Sequence, residues 1–290
     1  MKISETDLIL NPDGSVYHLN LRPEDIADII ITVGDPDRVA LVSKYFDKVE
    51  IKKQKREFIT HTGFIGSRAI TVLSTGIGTD NVDIVMNELD ALANINLAER
   101  TVKIDKKKLK IIRIGTSGTL RPEIATDSLL ASEYGLGLDT LAAFYDFPQT
   151  NFESRFCEAL HKKMNFSFMP SMSAASADLL NIFSAYKRGL TASSPGFYAP
   201  QGRRLRGKVK NESLLETLAE FTFEEKFISN FEMETSAYYA LGNLLGHDCL
   251  SLNAIVANRT LRRFSANPYA TVEKLIVQVL EKIADKSTFN

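Results

Sequence analysis

Four short apolar runs predict buried β-strands. Each is rich in β-branched residues, apolar on both faces, and followed by small or polar residues, as is typical of a central strand in a parallel sheet. The runs are IADIIITVG at 26–34, RAITVLSTG at 68–76, LKIIRIGTSG at 109–118 and CLSLNAIVANR at 249–259. The pattern therefore predicts a sheet whose central strands are covered on both faces.

Other segments carry apolar residues at helical spacing. These are DNVDIVMNELDALANI at 80–95, SMSAASADLLNIFSAYKRG at 171–189, the run within 230–246, and ATVEKLIVQVLEKIADK at 270–286. Asp80 predicts an N-cap, and Gly189 predicts the end of the second helix. Because strands alternate with helices, we expect one α/β domain over residues 1–290, with a mostly parallel or mixed central sheet and helices on both faces. A polar, basic segment at 96–110 predicts a solvated insertion.

The composition changes this picture little. The chain is 44% hydrophobic and 24% charged, and its net charge of −1 favours neither nucleic acid nor an anionic membrane. Cys157 and Cys249 form no CxxC pair, so they predict two reduced thiols. The start MKISETDLIL does not resemble a signal peptide, and no run reaches the ~20 apolar residues of a membrane span. We therefore expect a cytoplasmic protein.

Two arginines follow or lie within the predicted strands. GDPDR at 34–38 combines Gly34, which lets backbone amides approach an oxyanion, with the planar guanidinium of Arg38; a turn with a surface arginine is the other interpretation. Arg113 lies inside an apolar strand and needs a counter-charge, either a bound anion or an internal glutamate. Thr116 and Ser117 offer hydroxyl groups where that strand ends.

The glycine-rich turn STGIGTDN at 74–81 follows another strand. Gly76 and Gly78 match the start of a dinucleotide-binding pattern, but Asn81 occupies the third glycine position. A nicotinamide site is therefore disfavoured.

Two further stretches carry polar groups suited to a nucleoside. In FYAPQGRR at 197–204, Phe197 can stack on a flat ring, Gln201 carries both a donor and an acceptor, and Arg203 can donate to a carbonyl oxygen; a solvated loop is the alternative. Glu232 and Glu234 stand before an apolar helical run. They either cap that helix or accept hydrogen bonds from the vicinal hydroxyls of a sugar.

These motifs together resemble the nucleoside phosphorylase family, specifically its uridine phosphorylase branch. The family's motifs GDPxR, REF, STGIG, RIGTxG, FYxxQxR, EME and NR occur in order between about His18 and Arg259. The resemblance implies a three-layer α/β/α fold. It also implies a pentosyltransferase of pyrimidine salvage that cleaves uridine reversibly with phosphate, with deoxyuridine and thymidine as further candidates.

The resemblance implies a role for each matching residue. The implied phosphate site consists of Gly34, Arg38, Arg113, Thr116 and, from a neighbouring subunit, Arg56. The implied ribose site consists of Met233, Glu234 and the neighbouring subunit's His18. The implied base site consists of Phe197, Gln201 and Arg203, and the catalytic work falls to Arg203, Gln201 and Arg113.

The resemblance also implies partners. Residues shared across an interface require a homo-oligomer, with a dimer as the minimum and a hexamer of three dimers as the family-like arrangement. No cofactor is expected and inorganic phosphate is the co-substrate. In some relatives the glutamate that matches Glu57 binds a monovalent cation, so K⁺ or Na⁺ is a further expectation.

Three rival functions stay open. Purine-cleaving relatives keep an aspartate after the late strand, where this chain has Asn258 and Arg259. A nucleosidase that uses water would not need the arginines. A catalytically silent protein of the same fold would bind nucleoside or phosphate without cleaving either.

Overall fold

The computed structural model describes residues 2–285 and 287–289. Within them, fourteen strands are present: β1 Ile29–Val33, β2 Lys48–Lys55, β3 Phe58–Ile65, β4 Arg68–Ser74, β5 Ile95–Asn96, β6 Thr101–Val102, β7 Lys110–Thr119, β8 Leu129–Gly137, β9 Ser171–Ala174, β10 Lys187–Ser193, β11 Thr222–Phe223, β12 Lys226–Glu232, β13 Asp248–Asn258 and β14 Arg263–Phe264.

The same residues form seven α-helices: α1 Asp37–Ser43, α2 Thr79–Asn94, α3 Asn151–Met164, α4 Ala177–Ile182, α5 Leu214–Glu220, α6 Thr235–Leu245 and α7 Pro268–Ala284. Short 3₁₀ turns lie at Pro23–Asp25, Leu141–Phe144 and Ala199–Gln201. No helix in this part of the chain combines the length and apolar character needed to cross a membrane.

The α/β fold predicted from the sequence is confirmed. The predicted buried strands are β1, β4, β7 and β13, and β1 pairs in parallel with both β4 and β7. Strands β2 and β3 extend this region by antiparallel pairing, so the sheet is mixed. Residues of β1 alternate between two apolar clusters, because Ile29 and Ile31 contact the core shared with α1, α4 and α7, whereas Ile30 contacts the core shared with α2 and α6.

The sheet closes on itself at one end. Strand β7 pairs with β13, β13 with β8, β8 with β10, β10 with β12, and β12 pairs back onto β7. In this last pairing Asn230 lies opposite Thr119 and Phe231 opposite Gly118. The closure brings the end of β12 beside the end of β7, which an open sheet would keep apart.

Two details of the predicted helices are wrong. The predicted helix 171–189 is a strand, a short helix and the start of another strand, because β9 and the residues after α4 pair with β8. Helix α2 begins at Thr79 with Gly78 as its N-cap, so Asp80 lies in its first turn. The last helix is confirmed from Pro268 to Ala284, and its predicted end at 286 lies outside the described residues.

Strand β6 lies within the insertion at 96–110 and pairs with β5, which begins one residue before it. Residues 104–108 are exposed, whereas Leu97 and Leu109 are buried. Lys107 pairs with the exposed Asp28, and the exposed Lys108 pairs with the largely buried Asp248. Its treatment as an insertion into one continuous domain stays a prediction.

Candidate active site

A cavity of about 780 Å³ lies where the carboxyl ends of the central strands meet. Ligands of α/β sheets commonly bind at such an edge. Ten of the twelve residues to which the resemblance assigns a role line it: Gly34, Arg38, Glu57, Arg113, Thr116, Phe197, Gln201, Arg203, Met233 and Glu234. Segments distant in the sequence therefore converge on one cleft.

Arg113 is held by two internal carboxylates. Its Nη2 lies 2.5 Å from Oε2 of Glu234 and 3.0 Å from Oε2 of Glu232. Of the two counter-charges that the sequence left open, the structure contains the internal one. Burial alone would lower the pKa of the Arg113 guanidinium, but the two glutamates outweigh burial and the pKa is raised.

Gly115 makes room for this guanidinium. It lies two residues after Arg113 on the same face of β7, and a Cβ there would come within 1.8 Å of Nη1 of Arg113. Any other residue at this position would displace the arginine from its glutamates. Gly115, the first glycine of RIGTSG, therefore leaves the space that Arg113 needs to reach the two glutamates.

The sequence left two roles open for Glu232 and Glu234, namely capping of the following helix and acceptance of hydrogen bonds from a sugar. Glu232 caps helix α6, because its carboxylate accepts hydrogen bonds from the backbone N–H of Glu234 and Thr235, each at 3.0 Å. Ser193 also donates its hydroxyl to Oε1 of Glu232, at 2.5 Å. A carboxylate at the N-terminus of a helix stabilises the orphan N–H groups and the helix dipole. Glu232 thus stabilises the start of α6, and its side chain also lines the cavity.

Glu234 instead connects Arg113 to the glycine-rich turn. Its Oε1 accepts a hydrogen bond of 2.8 Å from the backbone N–H of Gly78, whose φ of 98° lies in a region that favours glycine. Burial raises the pKa of the Glu234 carboxyl, and attraction to Arg113 offsets this only in part. As a side chain of the cavity wall, Glu234 keeps lone pairs that can accept further hydrogen bonds.

Arg38 differs from Arg113 in its counter-charges. Its Nη1 donates one hydrogen bond of 3.3 Å to the carbonyl of Ile114, and it forms no ion pair with a carboxylate among residues 2–285 and 287–289. Burial lowers the pKa of Arg38, an effect that Asp35 opposes and Arg113 reinforces. A partly buried guanidinium that forms no ion pair with a carboxylate is stabilised by a bound anion.

The other end of the cleft holds Arg203, Gln201 and Phe197. Nη1 of Arg203 donates to Oε1 of Gln201 and to the carbonyl of Phe197, both at 2.6 Å, and the guanidinium lies 3.6 Å from the centre of the Phe197 ring. Burial and the neighbouring Arg259 lower the pKa of Arg203 to about 10. The Oε1 of Gln201 accepts from Arg203 and its Nε2 donates to the carbonyl of Glu232 at 3.5 Å, so the second N–H of Nε2 is the donor left for a ligand.

Asn258 does not line the cleft, and its side-chain polar atoms are engaged by the backbone. Its Nδ2 donates to the carbonyls of Arg121 and Ile124, at 3.0 and 2.9 Å, and its Oδ1 accepts from the N–H of Leu261. The side chain therefore ties the loop after β7 to the turn after β13. Neither it nor Arg259 provides an acid to this end of the cleft.

A protein-family comparison decides the wider relationship. Residues 28–286 match the family model described as the phosphorylase superfamily. The chain belongs to the phosphorylase superfamily. The resemblance seen in the ordered motifs is thereby confirmed at the level of the family.

Individual members of the superfamily align along most of the chain. A uridine phosphorylase of Thermococcus kodakarensis is 27% identical over 258 residues, covering 87% of this chain and 80% of that protein. A uridine phosphorylase of Haemophilus influenzae is 28% identical over 279 residues, covering 92% and 96%. A crystal structure of a Trypanosoma brucei nucleoside phosphorylase, described as showing uridine phosphorylase activity, superposes with a TM-score of 0.87 at 26% identity, covering 95% and 98%.

Two expected site residues of this phosphorylase superfamily member do not line the cavity of their own chain. Arg56 is exposed in the turn between β2 and β3, with a φ of 55°. Nδ1 of His18 lies 2.7 Å from Oε1 of Glu88 on α2, and Glu88 also accepts from the backbone N–H of His18. Both positions fit the expectation that these residues serve a neighbouring subunit, which stays a prediction.

Besides Gly115, two residues that hold expected site residues in place were missed by reasoning from the sequence. Gly78 was weighed only as part of a dinucleotide motif, and its N–H turns out to hold Glu234. Glu88 holds the His18 segment from the largely buried helix α2. Glu88 could have been found from the sequence, because it is an acidic residue on the apolar face of the predicted helix. The contact of Gly78 with Glu234 could not, because it joins segments that are distant in the sequence.

Proposed function

We propose that the protein is a uridine phosphorylase that converts uridine and inorganic phosphate to uracil and ribose 1-phosphate, reversibly. The observation that carries this proposal is one cleft with an uncompensated Arg38 at one end, the buried acceptor Glu234 beside it, and the Gln201–Arg203 pair at the other end. An oxyanion, a sugar and a planar polar base fit these three positions in that order.

Phosphate would bind beside Arg38, the Gly34 turn and Thr116. Arg113 lines the same cavity, but its charge is already balanced by Glu232 and Glu234. In this proposal Arg113 therefore orients Glu234 and adds hydrogen-bond donors, while Arg38 supplies the unpaired charge. Their task is to position phosphate against the anomeric carbon rather than to transfer protons.

Glu234 and Met233 would hold the ribose. The Glu234 carboxylate accepts hydrogen bonds from the sugar hydroxyls while Arg113 and the N–H of Gly78 keep it in place. Cleavage of the N-glycosidic bond builds positive charge on the sugar, as in other glycosyl transfers. The adjacent phosphate dianion stabilises that charge and then forms the bond to the anomeric carbon.

Arg203 and Gln201 would stabilise the leaving base. The electron pair of the broken bond moves into the pyrimidine, whose oxygens become more negative. The remaining N–H groups of Arg203 and the Nε2 of Gln201 donate to these oxygens, and such preorganised donors favour the transition state over the ground state. The Arg203 guanidinium packs against the ring face of Phe197, and the Phe197 side chain forms another wall of the base pocket.

A pyrimidine base fits this end better than a purine. A departing purine gains from an acid at its ring nitrogen, and the side chain of Asn258 is engaged by the carbonyls of Arg121 and Ile124 instead. A site built around a polar edge rejects bases that leave its donors unpaired. We therefore favour uridine, with deoxyuridine and thymidine as further substrates.

The proposal includes a homo-oligomer in the cytoplasm, at least a dimer, in which Arg56 and His18 reach the neighbouring subunit's cleft. No cofactor is invoked. Glu57 lines the cavity, but no group of three or more histidine, cysteine or acidic side chains suited to a metal occurs among the described residues. A K⁺ or Na⁺ site at Glu57 would need oxygens from a second subunit, and no step is assigned to it.

A substrate panel tests the proposal. The purified protein is incubated with uridine, thymidine, inosine and adenosine, each with and without phosphate, and free base is measured. Phosphate-dependent release of uracil supports the proposal. Phosphate-independent release indicates a nucleosidase, preferred release of hypoxanthine or adenine indicates a purine phosphorylase, and no release from any substrate indicates a silent binding protein.

A further inference from the structure

A second cavity, of about 660 Å³, adjoins the cleft at its base end. The two cavities share four wall residues: Phe197, Arg203, Ala257 and Phe264. The second cavity touches neither Arg38 at the phosphate end nor Glu234 at the sugar position. A group that enters it from a bound nucleoside must therefore extend from the base.

The wall of this second cavity is strongly basic. Its charged side chains are five arginines and two glutamates: Arg203, Arg204, Arg259, Arg262, Arg263, Glu212 and Glu216. One glutamate is already used, because Oε2 of Glu212 pairs with Nη1 of Arg204 at 3.4 Å. In the part of the chain that the structure describes, Arg259, Arg262 and Arg263 form no ion pair, so positive charge is left over.

Like charges crowd at the boundary between the two cavities. Arg259 is about half buried and its pKa is lowered by that burial, while its charge in turn lowers the pKa of Arg203. Two close guanidinium groups without an acid between them favour an anion that touches both. The wall thus has the electrostatics of an anion site beyond the edge of the base.

The arginine-bearing segment is anchored by hydrogen bonds. Strand β14, Arg263–Phe264, pairs with the end of β13, and the Thr260 hydroxyl donates to the carbonyl of Leu120 at 2.6 Å. The N–H of Leu261 donates to Asn258. Arg262 adopts a φ of 52°, in a region that costs a non-glycine residue energy. These contacts hold Arg262 and Arg263 beside the cavity.

We propose that this basic cavity binds a carboxylate carried on the base of the nucleoside, so that the enzyme accepts pyrimidine nucleosides with an acidic base substituent. The inference rests on the proposed phosphorolysis, whose chemistry is unchanged. An oxygen of hydrogen phosphate forms the new bond to the anomeric carbon, and the electron pair of the N-glycosidic bond leaves with the carboxylate-bearing pyrimidine. That pyrimidine takes up the proton that the hydrogen phosphate gives up. The carboxylate stays ionised throughout and keeps its contacts with the arginines.

Three nucleosides test this inference: uridine, 5-carboxymethyluridine and the neutral methyl ester of 5-carboxymethyluridine. The ester matches the acid in size and lacks only its charge. We expect the wild type to show a kcat/KM for the acid at least about ten-fold above that for the ester, equivalent to about 1.4 kcal/mol. In the double variant Arg262→Gln, Arg263→Gln this preference should fall to about unity, while uridine turnover changes by less than about two-fold.

The matched control is the double variant Arg206→Gln, Lys208→Gln. It removes the same charge from the neighbouring exposed segment, and neither residue lines the cavity. It should keep the acid-over-ester preference. Equal loss in both double variants would overturn the inference, because bulk charge rather than the cavity would then explain the preference.

Further outcomes separate this inference from the proposed function. Turnover of uridine without preference for the acid overturns the inference alone, whereas no phosphorolysis of uridine overturns the proposed function. Titration with inorganic pyrophosphate tests whether the cavity binds a free anion instead. Pyrophosphate binding that Arg262→Gln, Arg263→Gln abolishes, without any acid-over-ester preference, would assign the cavity to a free anion and contradict the inference.

Discussion

Arg113 and Glu234 lie 121 positions apart in the sequence, yet Nη2 of the arginine is 2.5 Å from Oε2 of the glutamate. The contact exists because β12 pairs back onto β7 and closes the sheet. It holds the proposed ribose acceptor beside the proposed phosphate site without a bound ligand. Arg113 thereby supports the fold and the site together, whereas Arg38 is available to a substrate anion.

Glu234→Gln should impair uridine more than 2′-deoxyuridine. The glutamine keeps one acceptor but loses the charge that receives the sugar hydroxyls, so the loss in kcat/KM should be about ten-fold larger for uridine. Steady-state kinetics with both nucleosides measures this difference. Glu232→Gln is the control, because Glu232 caps α6, and it should affect both nucleosides equally. Equal effects of Glu234→Gln on both would remove Glu234 from the ribose site.

Arg38→Gln and Arg113→Gln should separate catalysis from stability. Loss of Arg38 should reduce turnover by about 10²–10³-fold and raise the KM for phosphate, yet lower the free energy of unfolding by less than about 1 kcal/mol. Loss of Arg113 leaves two buried carboxylates unpaired and should lower the free energy of unfolding by about 3–5 kcal/mol. Denaturant unfolding and phosphate kinetics provide the two measurements. A large stability loss in Arg38→Gln would show that its charge is already balanced inside the fold.

Arg203 should impose an alkaline limit on turnover. Its pKa is lowered to about 10 by burial and by Arg259, so the charged form is present below this pH and is lost as the pH rises through it. The ratio of wild-type kcat to that of Arg203→Gln, measured from pH 7 to 11, should therefore be constant at first and decline above pH 10. Using the ratio cancels ionisation of the substrate, which is common to both proteins. A ratio that stays constant to pH 11 would contradict a catalytic charge on Arg203.

Asn258→Asp should destabilise the protein without creating purine activity. A carboxylate would replace the amide that donates to the carbonyls of Arg121 and Ile124, leaving both acceptors facing a negative charge. The expected loss in the free energy of unfolding is about 2–4 kcal/mol. Thermal unfolding and an inosine assay provide the test. New hypoxanthine release would mean that this side chain reaches the base after all.

Arg56 should act in the cleft of a neighbouring subunit. Arg56→Ala and Glu234→Gln should each be nearly inactive as pure proteins. Refolding an equal mixture should recover about one quarter of wild-type activity, because half of the dimers are mixed and each of these has one intact site. Mixing Arg56→Ala with His18→Ala is the control and should recover nothing, since the same neighbour donates both residues. Recovery in neither mixture would place Arg56 in its own chain's site or outside the site.

The strands that are buried on both faces were the elements predicted best from the sequence. Strands β1, β4, β7 and β13 are apolar on both faces, so their patterns were unambiguous. Segment 171–189 was misassigned because a short apolar run suits helix and strand alike, and pairing with β8 decides between them. Strand β12 was not predicted, and with it the closure of the sheet was missed.

The residue types of the candidate site were predictable, but their partners were not. An arginine within a buried strand required a counter-charge, and the sequence could not choose between an anion and a glutamate. That choice depends on the pairing of Asn230 with Thr119, which sets Glu232 and Glu234 beside Arg113. The division of the two acids into helix cap and site acceptor likewise depends on which backbone N–H groups lie within reach.

The central claim is that the cleft joins inorganic phosphate to the sugar of uridine. Phosphorus NMR of the wild-type protein with uridine and phosphate tests it most directly, with uracil measured in parallel. The account predicts a new sugar phosphate resonance that grows in equal molar amount with uracil and is absent when phosphate is omitted. Release of uracil with no new phosphorus resonance would contradict it.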